Sequence, residues 1–248
     1  MALSFSVCSV LKNSGAPTLH ISERFHLPDY GGSIRYMATT TRIATTRLNK
    51  DTLADLDHLP LILHLRPVVN MTEDQFFKFC QINKDLRMER TAQGELILMP
   101  PEGGETGARD AQITMQLTSW AMRDGTGVAF GSSTGFRLPN GAVRSPDAAW
   151  VLKSRLAKLT AKQKQKFLPL CPDFAIELRS PTDSISILKD KMQEYLDNGL
   201  RLGWLIDPEK KRVYIYSPNA PVEQLDRPKS VSGDPVLSGF ALDLRAVW

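Results

Sequence analysis

Residues 173–179 read DFAIELR, and residues 145–152 read SPDAAWVL. Each stretch is a short apolar run that carries an acid, Glu177 inside the first and Asp147 at the start of the second. Runs of this length with β-branched and aromatic residues are typical of buried strands. An acid in such a place is costly unless its charge is compensated. Two acids on strands of one sheet could meet this need by sharing a divalent cation.

The histidine and cysteine content narrows the chemistry that these acids can support. The only histidines are His20, His26, His58 and His64, so none lies in the region of the two acids. This excludes a Ser-His-Asp triad, a histidine-based nuclease or a histidine-rich zinc site there. The three cysteines are scattered and form no CxxC pair. A metal bound in this region is expected to have oxygen ligands, and Mg²⁺ or Mn²⁺ fits best.

The composition is that of an ordinary globular protein. Of 248 residues, 42% are hydrophobic and 23% are charged, and the formal net charge is +4. This charge permits a polyanionic partner without requiring one. Single cysteines favour a reducing, cytoplasmic setting. No apolar stretch approaches the roughly 20 residues that a membrane span needs, so we expect no membrane association.

The first part of the chain differs from the rest. Residues 1–66 are rich in Ser and Thr and lack periodicity, which predicts a poorly ordered extension before a domain at 67–248. No basic residue precedes the mildly apolar segment 2–11, and no A-x-A site follows it, so a secretory signal is not favoured. Met37 is an alternative candidate for the first residue.

From Thr72 onward the pattern becomes regular. Thr72 to Gln75 forms a capping-box signature at the start of a short helix. The further elements predicted from periodicity and turn residues are a hairpin at 87–100, a helix from Ala108 that ends at Gly125, strands at 128–137, 142–152 and 173–179, a helix from Ile185 that ends at Asn198-Gly199, and a hairpin at 202–216. This order predicts an α/β sandwich with a central mixed β-sheet flanked by helices.

Taken together, these runs resemble the PD-(D/E)xK nuclease superfamily, and more closely a large bacterial family of restriction-endonuclease-like proteins within it. The resemblance covers about Met71 to Trp248. The matching runs are Arg144–Trp150, Cys171–Asp183, Lys191–Gly199 and Gly203–Asp207, together with the loop Met99–Pro101 and the segment Gly103–Gly107 that follows it. It implies a restriction-endonuclease-like sandwich fold.

The resemblance also implies roles for individual residues. Asp147 and Glu177 would hold Mg²⁺, with the backbone carbonyl of Leu178 as a further ligand. The lysine usual in the superfamily is replaced by Arg179, which stays protonated and cannot act as a base but could steady a phosphate. The resemblance suggests that the lysine has moved to Lys191 on the following helix, where it would position water or stabilise the transition state.

Each assignment has a structural alternative. Asp147 follows a proline and could be a turn or cap residue. Glu177 and Arg179 lie two apart in a strand and could form a structural ion pair. Lys191 could be a solvated helix lysine, which is how we interpret Lys189. Glu105 could be an outer acid of the same site, or only an N-terminal helix acid favoured by the helix dipole.

A basic run without acids lies between the two acid-bearing stretches. Such a run is usually a solvated surface, but it could also clamp a nucleic-acid backbone. Its members are Lys153, Arg155, Lys158, Lys162, Lys164 and Lys166.

Two functional hypotheses follow. The first is a Mg²⁺-dependent endonuclease that hydrolyses phosphodiester bonds of DNA, with a homodimer expected only by analogy with nucleases that cut two strands. The second is a catalytically silent module that binds nucleic acid or a protein partner on the same fold, which the replacement of the usual lysine by Arg179 would favour.

Overall fold

The computed structural model describes residues 60–248. The strands of this part are β1 (Leu61–Leu63), β2 (Arg87–Arg90), β3 (Leu96–Met99), β4 (Gly127–Gly131), β5 (Phe136–Arg137), β6 (Val143–Arg144), β7 (Ala148–Leu152), β8 (Phe174–Leu178), β9 (Leu202–Asp207), β10 (Arg212–Tyr216), β11 (Glu223–Asp226), β12 (Ser230–Ser232) and β13 (Ala241–Asp243). The helices are α1 (Glu73–Ile82), α2 (Gly104–Asp124), α3 (Lys153–Leu156), α4 (Ala161–Lys164) and α5 (Ile185–Asp197), with a 3₁₀ turn at Leu244–Ala246.

The central sheet has six strands in the order β11-β10-β9-β8-β7-β4. Its strand pairs are antiparallel except β8 and β9, which run parallel and pair Glu177 with Leu205. The mixed central sheet predicted from the sequence is therefore confirmed. A smaller antiparallel sheet has the order β1-β3-β2-β6-β5, and β12 and β13 form a two-stranded sheet.

The two faces of β8 bury different side chains. Phe174, Ile176 and Leu178 pack in a core with α2 and the C-terminal segment. Ala175 packs on the opposite face, in a core that includes Tyr195 of α5. The alternation in the sequence predicted this division, which places Glu177 on the face that α5 covers.

The predicted helix boundaries at Thr72 and Gly125 are confirmed, but α2 begins at Gly104 and not at the predicted Ala108. Thr72 and Gln75 form a reciprocal capping box at the start of α1. Helix α2 ends at Gly125, which has a left-handed φ of 72°, a conformation that glycine adopts without steric cost. No helix in residues 60–248 is long and apolar enough to cross a membrane.

The predicted strands 128–137 and 142–152 are wrong as continuous elements, since each is divided between the two sheets. β4 and β7 pair in the central sheet, whereas β5 and β6 pair in the small one. The second break has a clear cause: the Ser145 amide donates to a Glu89 carboxylate oxygen at 2.8 Å, and Pro146 has no amide to donate. The chain thus leaves one ladder immediately before Asp147.

The predicted extension at 1–66 lies mostly outside the described residues, as does Met37. Its last part contributes β1, which pairs Leu61 with Leu98 of β3.

Candidate active site

Asp147 lies at the start of β7 and joins three parts of the fold. Its Oδ2 atom accepts a hydrogen bond from the Leu178 amide at 2.8 Å, which places it beside the end of β8. Its Oδ1 atom accepts one from the Arg87 guanidinium of β2 at 3.1 Å. The residue is buried, with 8% of its surface exposed. Asp147 is therefore a compensated buried acid rather than an exposed turn residue.

Glu177 is held from one face by α5. Its Oε2 atom lies 2.9 Å from the Lys191 ammonium, and its Oε1 atom accepts a hydrogen bond from the Tyr195 hydroxyl at 3.0 Å. Lys191 and Tyr195 are four residues apart, so the helix presents both on one side. The structure thus brings Asp147, Glu177 and Lys191 into one region where β7, β8 and α5 meet.

A third acid, Glu89 of β2, shares this region. Its Oε1 atom lies 2.9 Å from the Lys191 ammonium, and its Oε2 atom accepts from Arg144 at 3.1 Å. Arg144 also donates to Glu194 at 2.6 Å. Lys191 therefore bridges two buried carboxylates on different elements and is not a solvated helix lysine.

The ion pairs around these acids carry an excess of negative charge. Arg87 bridges Asp147 and Glu102, Lys191 bridges Glu177 and Glu89, and Arg144 bridges Glu89 and Glu194. Five carboxylates thus face three cations, a formal charge of −2 if all are ionised. A divalent cation would balance this charge.

The pKa values of the buried groups reflect this charge. Burial, together with the charges of Asp147 and Glu89, raises the pKa of Glu177 to about 8, although Lys191 acts in the other direction. Burial would also raise the pKa of Glu89, but Lys191 and Arg144 outweigh it and lower that pKa. Burial disfavours the charge of Lys191, but Glu177 and Glu89 raise the pKa of its ammonium. Of these two buried acids, Glu177 is thus the one whose charge is less compensated.

The donor set fits a hard divalent cation. No group of three or more His, Cys, Asp or Glu side chains within residues 60–248 forms a metal cage. Mg²⁺ does not need one, since it usually binds through one or two carboxylates and keeps several waters. Asp147 and Glu177 supply two carboxylates, and the Leu178 backbone adjoins both of them.

Asp110 of α2 is an acid near this region that the sequence did not single out. Its Oδ2 atom accepts a hydrogen bond from the Ser132 hydroxyl at 3.5 Å, while its Oδ1 atom is buried without a partner. Burial, followed by the charges of Asp147 and Glu102, raises the pKa of Asp110 to about 6.

Two of the predicted site residues have other partners. Arg179 donates to Asp207 at 3.2 Å and to Glu209 at 2.6 Å, and within the described residues it makes no ion pair with Glu177. Glu105, in the first turn of α2, pairs with Arg109 at 2.9 Å, and its side chain is 80% exposed. The structural alternative of a Glu177–Arg179 ion pair is therefore wrong for the described residues, whereas Glu105 lies in the first turn of a helix, as its helix-dipole alternative requires.

The basic run begins at the end of β7 opposite to Asp147. The five-residue strand between them spans roughly 17 Å. Arg155 pairs with the buried Asp173 at 3.0 Å, Lys166 pairs with Asp74, and Lys153 donates to the Gly125 carbonyl at 2.6 Å. The members that are exposed and whose side chains make neither an ion pair nor a hydrogen bond within residues 60–248 are Lys158, Lys162 and Lys164.

Several contact residues were missed by sequence reasoning, namely Arg87, Glu89, Arg144 and Tyr195. Arg87 and Glu89 alternate with the apolar Met88 in a short strand, which signals one polar face but does not identify what that face meets. Tyr195 was assigned only to the apolar side of α5, although its spacing from Lys191 could have paired the two.

The comparisons with known proteins agree with this architecture. The family model Uma2, described as "Putative restriction endonuclease", matches residues 73–245, more than two thirds of the chain. Among solved structures, the crystal structure of a putative nuclease belonging to DUF820 from Anabaena variabilis matches with a TM-score of 0.58 and 21% identity, covering 72% of this chain and 97% of that chain. No curated protein matches at a significant level.

These matches have different weight. At 21% identity the structural likeness shows the fold alone, and it confirms the α/β restriction-endonuclease-like sandwich that the sequence predicted. The family match covers the strands and helices that carry Asp147, Glu177 and Lys191. The chain therefore belongs to the Uma2 family of putative restriction endonucleases.

Proposed function

We propose that this protein is a Mg²⁺-dependent endonuclease that hydrolyses phosphodiester bonds in DNA. One observation carries the proposal: Asp147, Glu177 and Lys191, from three separate elements, converge in one ion-paired region with a formal excess of negative charge. Buried charges that serve only stability are normally balanced. A cluster with more carboxylates than cations, which includes Asp147 and Glu177 on adjacent strands, is instead suited to a divalent cation.

The site residues would have different roles in catalysis. Asp147 and Glu177, with the Leu178 carbonyl, would hold Mg²⁺, which when bound supplies a water of lowered pKa and neutralises phosphate charge. Lys191, already within 2.9 Å of Glu177, is placed to donate to the attacking water or to a phosphate oxygen. Glu89 binds the Lys191 ammonium and Tyr195 donates to Glu177, so these two residues hold the pair in position.

The direct test is nicking of supercoiled plasmid DNA with Mg²⁺, with Mn²⁺ and with EDTA. We expect cleavage with either metal and none with EDTA, because both carboxylates need the cation to activate water. DNA binding without cleavage under any metal condition would contradict the proposal and would favour the silent binding module instead.

We also propose that the exposed part of the basic run contacts the DNA backbone. Replacing Lys158, Lys162 and Lys164 by Gln should weaken DNA binding and reduce the slope of log affinity against log salt by about 3, since each lost phosphate contact changes the slope by about 1. Fluorescence anisotropy at several salt concentrations measures this slope.

The matched control replaces three other exposed lysines, Lys84, Lys210 and Lys229, by Gln. The two triple variants have the same net charge, so they separate a located contact from a general charge effect. Equal slopes for both would remove the basic run from the DNA interface.

A further inference from the structure

A cavity of about 610 Å³ lies between one face of α2 and the turn that follows β4. Its lining residues on α2 recur at helical spacing from Asp110 to Ser119, so they share one helix face. The opposite wall is the segment 131–134. This volume is within the range of sites that bind small molecules. The cleavage chemistry proposed above does not use it.

The cavity adjoins the acids through the central sheet. Gly131, on its wall, pairs with Ala148, the residue that follows Asp147. Neighbouring strands are about 4.8 Å apart, so the cavity begins one strand away from Asp147. After burial, the negative charge of Asp147 contributes to the raised pKa of Asp110 on the helical wall. A group in this cavity would therefore be close to a phosphate held at the two acids.

The walls of the cavity combine apolar surface with hydroxyls and one carboxyl but carry no cation. Asp110 supplies a carboxyl, and Met115 and Ala111 supply apolar surface. A wall with a carboxyl and without Lys, Arg or His does not favour a phosphate. The hydroxyl-bearing residues of the lining are Thr114, Thr118, Ser119, Ser132, Ser133 and Thr134.

The Asp110 carboxyl is the charged group of this wall. Within the described residues its Oδ2 atom has only a long contact, 3.5 Å, to the Ser132 hydroxyl, so it can accept a further hydrogen bond. Its Oδ1 atom and the Oγ1 atom of Thr114, one turn further along α2, are buried beneath this surface, so a group in the cavity would meet Oδ2. A carboxylate oxygen can only accept, so its matching ligand group is a donor such as an amino group.

We propose that this cavity binds an unpaired nucleobase with an exocyclic amino group, next to the phosphate held by Asp147 and Glu177. The assignment of a nucleic-acid ligand rests on the proposed function. Of the neutral parts of a nucleic acid, a base combines the flat apolar faces that Met115 can cover with the donor that Asp110 needs. The substrate is then single-stranded or locally opened DNA, since a paired base cannot enter a pocket.

The test compares short fluorescein-labelled single strands of only dC, only dA or only dT by anisotropy, with the full chain in EDTA. We expect dC and dA strands to bind about tenfold more tightly than dT, because thymine has no amino group. Asp110→Asn should remove this preference, since an amide both donates and accepts and can therefore serve thymine as well. The substitution keeps the size of the side chain.

A second variant tests the space itself. Ala111→Trp would fill the cavity from the exposed surface of α2 and should also remove the preference, whereas Ala108→Trp, exposed on the same helix outside the lining, should keep it. Equal affinity for the three strands, no binding of any, or a preference that survives both Asp110→Asn and Ala111→Trp would overturn the proposal.

The outcome is separable from that of the proposed function. Metal-dependent nicking without any base preference would leave the endonuclease standing and refute the base-binding cavity. A base preference that Asp110→Asn removes, in a protein that never nicks DNA, would support the cavity and refute the endonuclease.

Discussion

A Lys191→Met variant is expected to lose about 3–5 kcal/mol of unfolding free energy, because it leaves two buried carboxylates without their shared cation. Lys191 lies 2.9 Å from both Glu89 and Glu177, and its side chain is only 11% exposed. Methionine keeps the apolar stem of the lysine, so the loss reports the charge rather than the packing. Chemical denaturation in EDTA measures it.

Lys189→Met is the matched control. Lys189 is on the same helix but exposed, and its ammonium lies over the Tyr214 ring at 4.4 Å. An exposed cation–π contact contributes about 0.5–1 kcal/mol, so this variant should lose no more than that. Equal losses for the two variants would show that the Lys191 bridge does not stabilise the fold.

Lys191→Met should also slow cleavage by at least about a hundredfold, the usual effect of removing one preorganised donor to the developing charge. The rate is measured at a temperature at which circular dichroism shows the variant to be folded, so that unfolding does not contribute. Cleavage at the wild-type rate would exclude Lys191 from the chemistry.

Adding Glu177→Gln to Lys191→Met should restore part of the lost unfolding free energy, about 1–3 kcal/mol, because the two residues are in contact and their effects are coupled.

Glu177→Gln is expected to reduce Mg²⁺-dependent nicking at least about a thousandfold, which corresponds to about 4 kcal/mol of activation free energy. The amide is neutral, so it holds the cation poorly, yet it has the size of the carboxyl and can still contact Tyr195. Stability in EDTA should change little or increase. Glu223→Gln, on an exposed strand, is the control for loss of one negative charge and should nick normally.

The effect of Glu177→Gln on the unfolding free energy in EDTA should depend on pH. Burial raises the pKa of Glu177 to about 8, whereas an unfolded glutamate titrates near pH 4.3. The protonated carboxyl therefore favours the folded state below pH 4.3, and this contribution is lost progressively as pH rises to about 8. In EDTA the wild type should lose more stability than Glu177→Gln between these pH values. Parallel stability curves would contradict the raised pKa.

Local patterns were sufficient for much of the fold. The Thr72 capping box, the Gly125 helix end and the apolar alternation around Glu177 are each encoded within a few residues, and each is confirmed. The strand at 142–152 was wrong because its break depends on a distant group, the Glu89 carboxylate, which binds the Ser145 amide. A local pattern cannot contain a partner from another strand.

In the candidate site too, local patterns predicted some residues, and only the folded structure revealed the others. Acids inside apolar runs signalled Asp147 and Glu177 directly, because an acid in such a run requires compensation wherever the run folds. The compensating groups could not be predicted: Arg87 and Glu89 come from β2, and Lys191 and Tyr195 from α5. The position of Arg179 beside Asp207 and Glu209 likewise depends on the parallel pairing of β8 with β9.

The amino-acid sequence alone thus determined that the region around Asp147 and Glu177 has no histidine, and it determined most of the local order of strands and helices. The tertiary structure alone decided which charges meet, that the charge of Glu177 is less compensated than that of Glu89, and that a cavity with one carboxyl and several hydroxyls on its walls lies one strand away from Asp147. The physical reason is the separation along the sequence over which each interaction acts. Hydrophobic periodicity and capping act between residues a few positions apart, whereas ion pairing and burial act between residues that only folding brings together.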